Sequence, residues 1–474
     1  MCIRDSSYGG GGGSYSGGGG SSSGDGELFG LIIWLIFEYP QVSIPIIIVI
    51  VIFRLVKGRT KPSVPVATRN GRDTQIQKVR HIESAINSFR DTKDAGFSKT
   101  LFLDFAQHLF YQYHYARGAN KLGQLSAYLD QGVIEAEGRQ HAQTLQVSEL
   151  VIGSVSFVGF SQRDDSDWIA LSFDANYTET INGHSNRYWV KEWWTFRRQT
   201  GLQSGGPAAM QNPGCPNCGA SIELNSAGEC QQCNVVVTPG EKAWSVFTIN
   251  QLERQVQSGK PVGSYAPERG TNLPTLFDPN LNTVGGKFIA SHSMPSIAHY
   301  AKDFKESVVE PVFLMIYSSW AERKYEPARP LMTDNLFRSH AYWIEMYKQN
   351  KLFNRLDDLH VMGVHLVKLD LDIHFEAATV RIFAECRDYT TDEAGNFYSG
   401  DQNKARRFSE YWTFIRRTGT NHDLKSYKAD ACPNCGAAVK MGMTGICEYC
   451  NTKVTTGEFG WILSRISQDE SYLG

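Results

Sequence analysis

The sequence predicts an α+β protein made of two tandem copies of one unit, each followed by a small metal-bound ribbon, behind an N-terminal membrane anchor. Three observations predict it. In each half, apolar residues at helical spacing precede alternating strands. The motif Glu192-Trp193-Trp194-Thr195-Phe196-Arg197-Arg198 returns as Glu410-Tyr411-Trp412-Thr413-Phe414-Ile415-Arg416. Eight of the 10 cysteines fall into two identically spaced quartets.

A chain of 474 residues has room for two to four domains. Lys and Arg total 47 against 49 Asp and Glu, a net charge of -2, which removes the broad electrostatic case for a nucleic-acid binder. Residues 1–27 form a Gly/Ser-rich tail, expected to be disordered because it has almost no apolar surface to offset the entropy of ordering. Its opening residues lack the apolar core of a signal peptide.

Residues 28–56 read as a transmembrane anchor: Leu31–Phe37 and Ile44–Phe53 are apolar, interrupted by Glu38, Pro40 and Pro45. At about 1.5 Å per residue, Leu28–Phe53 exceeds the roughly 30 Å of hydrocarbon, which predicts a tilted or kinked span. The alternative lays Leu28–Phe37 in the interface and lets Ile44–Val56 dip deeper. Arg54, Lys57, Arg59 and Lys61 follow the span, whereas Arg4 alone precedes it. The tail is therefore expected outside and the C-terminal domains in the cytoplasm, at a bacterial inner membrane. Residues 57–75 are a linker.

The first unit, 76–200, opens with Ile76, Val79, Ile82, Ile86 and Phe89 at helical spacing. A second helix carries Phe102, Phe105, Leu109 and Tyr113 behind a Ser98 cap. Ile169, Leu171, Phe173, Ala175 and Tyr177 then alternate as one face of a strand. The first ribbon and its following strand occupy 213–250, and 251–297 reads as a linker because Gln257–Lys287 is rich in Gly, Pro, Asn and Ser. In the second unit, 298–418, Phe304, Val308, Phe313, Ile316 and Trp320 mark a core helix. Val308–Trp320 is too short to span a bilayer. Leu369, Leu371, Ile373 and Phe375 alternate, as do Val380, Ile382, Ala384 and Cys386, the last a core thiol. Gly395-Asn396 fits a hairpin loop. The second ribbon and strand take 430–467.

Cys215–Glu241 matches Cys432–Glu458 without a gap, 14 of 27 positions being identical. Trp244, Ile249 and Gln251 recur as Trp461, Ile466 and Gln468. In each quartet, Cys215, Cys218, Cys230 and Cys233, then Cys432, Cys435, Cys447 and Cys450, two Cys-x-x-Cys hooks can surround one tetrahedral ion. The residue after each hook is Gly or Asn, the types that best tolerate a left-handed backbone. Two structural Zn²⁺ ions are expected, one per ribbon. Four protein ligands leave no position for activated water, so the sites are not catalytic.

No nucleophile elbow, phosphate loop or His-Glu-x-x-His is present. The best catalytic cluster is His360, His365, Asp370, Asp372 and His374, of which Asp370, Asp372 and His374 share a strand face that reads as solvated. His108 and His114 sit among aromatics and read as packed. The pairs Arg197-Arg198, Arg406-Arg407 and Arg416-Arg417 read as salt-bridged or solvated, with contact to anionic lipid or an acidic partner as the alternative. No catalytic or cofactor-binding residue is assigned.

Through Glu410–Arg417, the amphipathic helix Phe304–Trp320 and the alternating strands, the sequence resembles the Tim-forty-four-like domain. This is the C-terminal domain of the motor-anchoring subunit of the mitochondrial inner-membrane translocase, found also in bacterial membrane proteins. The resemblance is closer at 298–418, where a second helix near Leu336 and Leu352 precedes the strands, and looser at 76–200. The glycine-rich tail before Phe37-Glu38-Tyr39-Pro40 also looks like bacterial members. The resemblance implies a cone-like fold of nuclear-transport-factor-two-like type, a curved sheet over helices with a hydrophobic pocket. It further implies membrane association, anionic-lipid contact and scaffolding without catalysis. The ribbons and the duplication depart from the mitochondrial protein, and the helical region that recruits its chaperone motor has no counterpart.

The function expected is a non-catalytic, membrane-anchored cytoplasmic scaffold that engages a protein partner, anionic lipid or both through paired hydrophobic-pocket domains. The alternatives are an enzyme using the cone pocket, and nucleic-acid binding through the ribbons. Against the last, Cys432–Cys450 offers only Lys440 and Tyr449 as basic or aromatic contacts.

Overall fold

The structure is a computed structural model that describes residues 69–140, 145–207, 214–220, 224–225, 229–257, 262–264, 268–420, 431–438 and 444–474. The tail at 1–27, the anchor at 28–56 and most of the linker at 57–75 lie outside the described residues. Among the described residues no helix is long and apolar enough to cross a membrane.

Helix α1 (Arg69–Thr92) buries Ile82, Ile86 and Phe89. Helix α2 (Lys99–Gly118) starts where the sequence places it: extended Ser98 accepts the Leu101 N–H on its side chain. It presents Phe102, Phe105, Leu109 and Phe110 to the core. A short helix, α3 (Gln131–Gln140), precedes β1 (Leu145–Arg163), β2 (Ser166–Ile181) and β3 (His184–Gln199). Two-residue turns join these strands. Asp164 and Asp165 have φ of 51° and 55°, and Asn182 and Gly183 have 51° and 80°. Two consecutive positive φ angles match the right-handed twist of a hairpin, which is why Asp, Asn and Gly stand there. On β2 the alternation holds, Ile169 to Tyr177 facing the helices with no more than 1% exposure.

The fourth strand, β4 (Ser245–Val256), pairs antiparallel with β3 and completes the order β1-β2-β3-β4. The second repeat follows the same plan. Helices α4 (Leu281–Ser291), α5 (Ile297–Phe304), α6 (Glu310–Ala321) and α7 (Asp334–Gln349) precede β5 (Leu352–Leu371), β6 (Phe375–Asp392), β7 (Phe397–Arg417) and β8 (Ile462–Gln468). The sheet order is β5-β6-β7-β8. One π-helical turn, Lys305–Val309, links α5 to α6, and Phe304, Val308, Phe313, Ile316 and Trp320 are buried as expected.

The likeness of the two repeats extends to single buried side chains. Arg198 pairs with Asp94 and Asp167 and stacks 4.6 Å over Trp244 and 5.8 Å over Phe89. Its counterpart Arg416 pairs with Glu376, donates to His292, and lies 4.6 Å over Trp461 and 5.8 Å over Phe288. The Glu-x-Trp of the repeated motif is a second such device. Glu192 accepts the Trp194 indole N–H at 2.9 Å, and Glu410 accepts that of Trp412 at 2.9 Å. Burial alone would drive these carboxylates out; the indole, with His114 at 3.4 Å in one repeat and the Tyr317 hydroxyl at 3.0 Å in the other, satisfies them. Burial, followed by the charge of Arg117, outweighs Glu192 and lowers the His114 pKa. The packed-histidine reading therefore holds for His114.

Three sequence-level boundaries change. The ribbons do not follow finished domains but interrupt them, because β4 and β8 return after each ribbon to close the sheet. The first sheet thus ends at Val256 and the second at Gln468. Trp244 and Trp461 recur because they immediately precede those returning strands and cover the buried arginines. The stretch 251–297 is also less of a linker than its composition suggests, since 251–256 belong to β4 and Leu281–Ser291 forms α4. Gly285 of that helix reflects close packing, since a Cβ there would stand 3.1 Å from Ile297 of α5. Finally, the Leu369–Phe375 alternation breaks at a turn, and Ile373 is 61% exposed.

Aromatic rings fill the helical side of each sheet. Phe110 stacks on Phe173 at 4.5 Å beside Trp194, and Phe313 lies 5.2 Å from Trp412 beside Tyr317. Cys386 is buried there as a core thiol.

Candidate metal centres and the interface between the repeats

Each cysteine hook is closed by its own backbone. Gly219 N–H bonds to Cys215 carbonyl and Asn234 N–H to Cys230 carbonyl, and Gly436 and Asn451 do the same for Cys432 and Cys447. These four residues have φ of 76°, 55°, 71° and 56°, the left-handed conformation the sequence predicts for them. The hooks face one another, so Cys215, Cys218, Cys230 and Cys233 bring their sulfurs within 4.8 Å of one another, as do Cys432, Cys435, Cys447 and Cys450. Cross-hook sulfur distances are 3.9 Å for Cys215–Cys233 and Cys218–Cys230, and 3.8 and 3.9 Å in the second quartet. A tetrahedron with metal–sulfur bonds of about 2.3 Å has edges of about 3.8 Å, so both quartets fit one ion. The Asn217 and Asn434 amides lie 3.5 Å from the Cys233 and Cys450 sulfurs, where N–H donors favour thiolate.

The second ribbon is tied to the fold by charge. Asp334, at the first turn of α7, accepts from the Thr455 hydroxyl at 3.0 Å and pairs with Lys453 at 2.6 Å, and it also pairs with buried Arg329. The first ribbon is held differently: the Tyr128 hydroxyl donates to the Gly214 carbonyl at 2.7 Å.

The catalytic cluster weighed from the sequence does not converge. His360 and His365 are exposed on β5, and the His360 ring meets its neighbour's backbone at Asp358. Asp372 closes the β5–β6 turn by accepting the N–H groups of His374 and Phe375 at 2.8 and 2.7 Å. Asp370 faces the first repeat rather than bulk water, bonding Arg90 at 3.1 Å and Lys99. Lys368 pairs beside it with Glu83. The solvated strand face expected there is therefore an ion cluster between the repeats, backed by Leu101 packed with Phe375, Ile415 and Ile462. Sequence reasoning missed this set because its members lie far apart along the chain.

A second polar contact crosses the interface where the Asn335 amide donates to Asp104 at 2.7 Å. Burial, then the charge of Asp334, pushes the Asp104 carboxyl up to about 6. A raised carboxyl favours folding while protonated. Its contribution is full below the unfolded value near 4 and is lost as pH rises through about 6. Asp104→Asn keeps an acceptor for Asn335, so it is expected to raise stability by about 1–2 kcal/mol at pH 7.5, the gain vanishing toward pH 4. Thermal unfolding at the two pH values checks this, and a less stable variant at pH 7.5 would refute it.

The arginine pairs are engaged. Arg406 pairs with Asp388 and Glu268, Arg407 with Glu385, Arg417 with Glu458, and Arg197 stacks on Phe247 at 4.5 Å.

Fold and sites together define a mixed α+β protein with two four-stranded sheets and two tetra-cysteine clusters that could hold metal ions. Residues 298–425 match the family model described as the Tim44-like domain, which agrees with the resemblance seen in the second repeat. No curated protein matches the chain. Among solved structures, an "Ntf2 like protein involved in plasmid conjugation" aligns over 74% of this chain and 87% of its own. The identity is 6% and the TM-score 0.18, too low to define a common fold.

Proposed function

We propose that this protein is a non-catalytic scaffold, anchored in a bacterial inner membrane by residues 28–56, whose tandem cytoplasmic domains engage a protein partner and anionic lipid. Each repeat is read as a cone-like domain of nuclear-transport-factor-two-like type, and each ribbon as a structural zinc site. Four thiolates around a closed tetrahedral position suit zinc and leave no site for substrate.

The observation that carries the reading is the Tim44-like match at 298–425. The ion cluster of Glu83, Arg90, Lys99, Lys368 and Asp370 supports it, since clamped repeats present two binding modules in fixed register. The best acid–base candidates, Asp370 and Asp372, are committed to structure, which weighs against the enzyme alternative.

Crosslinking with mass spectrometry on the membrane-bound chain, with lipids identified in the same sample, tests the proposal. A reproducible protein partner is expected, with anionic lipid enriched beside it. A sample holding neither above background would overturn the scaffold role.

A further inference from the structure

Between the repeats, rather than inside either one, lies a cavity of about 860 Å³. Its size is within the range of small-molecule sites, roughly 300–1,000 Å³, and such sites favour domain interfaces. One wall is α2, with His108, Tyr111 and Tyr115; the facing wall is α7, with Arg338, Tyr342 and Met346.

The walls are flat and aromatic. Tyr111 and Tyr115, one helical turn apart, lie 6.4 Å from each other at 23°. The Arg338 guanidinium stacks 4.7 Å over Tyr111. Ring faces and a guanidinium plane match a planar π-system better than a flexible aliphatic chain, which would favour branched aliphatic walls. The uncompensated charge is positive. Glu149 is paired with Arg187 at 3.2 Å and Glu345 with Lys348 at 4.0 Å. Among the described residues, neither Arg338 nor Lys121 has a carboxylate at salt-bridge distance, although the charge of Arg338 also acts on buried Asp104. Burial and then the charge of Arg338 lower the pKa of His108, in keeping with a positively charged wall that disfavours a further cation.

We propose that the cleft between the repeats is a binding site for a small planar aromatic carboxylate, its ring against Tyr115 and Tyr342 and its carboxylate on the Arg338 fork, which Tyr111 backs from below. The guanidinium can meet the carboxylate with two parallel N–H donors, and Lys121 adds a second charge at the cleft. Because both repeats supply walls, the ligand stabilises their docked arrangement. This site goes beyond the scaffold role and stands without it.

Calorimetric titration of the full, metal-loaded chain in detergent tests the site, using benzoate, 2-naphthoate and indole-3-acetate with a detergent blank. At least one is expected to bind saturably, one to one, with Kd below about 1 mM, weakened about tenfold by Arg338→Gln. Neutral 2-naphthol should bind more weakly than 2-naphthoate. Tyr342→Ala should weaken binding too, and it decides the matter if Arg338→Gln fails to fold. Arg407→Gln, on an exposed arginine outside the cleft, should change nothing. Absence of saturable binding by all three acids, or equal affinity in Arg338→Gln and the parent chain, would overturn the proposal.

Discussion

Removing metal from the second ribbon, or replacing Cys447 by serine, is expected to loosen α7 and the interface between the repeats as well as the ribbon. The ribbon's own core is small: Cys432, Cys447 and Val454 are buried, with Phe459 packed against them. So few apolar side chains cannot fold a module, and metal binding supplies on the order of 10 kcal/mol in sites of this kind. When the ribbon melts, Lys453 and Thr455 leave Asp334. Asp334 then keeps Arg329 alone among these partners, while its neighbour Asn335 carries the bond to Asp104 across the interface. Losing the two ribbon contacts should cost α7 about 1–3 kcal/mol. Hydrogen exchange checks this: 326–349 and α2 should lose protection, while β7 keeps its own. The first ribbon supplies the contrast. Cys230→Ser should loosen Leu122–Leu129 through Tyr128 and spare the interface. Unchanged exchange across 326–349 with the second ribbon unfolded would disprove the coupling.

Asp370→Asn is expected to part the repeats. Burial opposes ionisation of Asp370, yet Lys99 and then Arg90 hold its carboxyl down to about 2. The amide removes the charge and leaves two cations facing a low-dielectric interface. Breaking a fully buried pair costs roughly 3–5 kcal/mol, and partial exposure here reduces that to about 2–4 kcal/mol. A depressed carboxyl stabilises the fold above its unfolded value, near 4, and that contribution is lost as pH falls through about 2. The parent chain should therefore lose interface stability between about pH 4 and pH 2, and Asp370→Asn should be insensitive through this group. Urea unfolding together with the radius of gyration from small-angle scattering reads both effects. Equal stability and equal radius in the two chains would remove the cluster as a clamp.

Much of the fold was legible because its signals are local. Ser98 caps α2, Ile169 to Tyr177 alternate into the core, and Gly395 with Asn396 makes the β6–β7 turn, since helical period, strand period and turn chemistry are each set by neighbouring residues. The cysteine clusters were legible for the same reason, four thiols within two short hooks. Helix α4 was not, because a glycine that packs against Ile297, Gly285, is indistinguishable by composition from those of a linker. The extent of the duplication was also hidden. Arg198 and Arg416 keep the same ring partners while their acidic and basic partners change, from Asp94 to His292 and from Asp167 to Glu376.

Local signals in the sequence specify the α+β class, the repetition, the two cysteine quartets and the Gly395-Asn396 hairpin loop. Tertiary structure alone decided that each ribbon interrupts a sheet, that Asp370 faces Arg90 and Lys99 instead of water, and that a tyrosine-walled cleft separates α2 from α7. Periodicity reports which face of an element is buried, but not against what. Charges that meet across an interface come from segments hundreds of residues apart, and only the folded chain brings them within hydrogen-bonding distance.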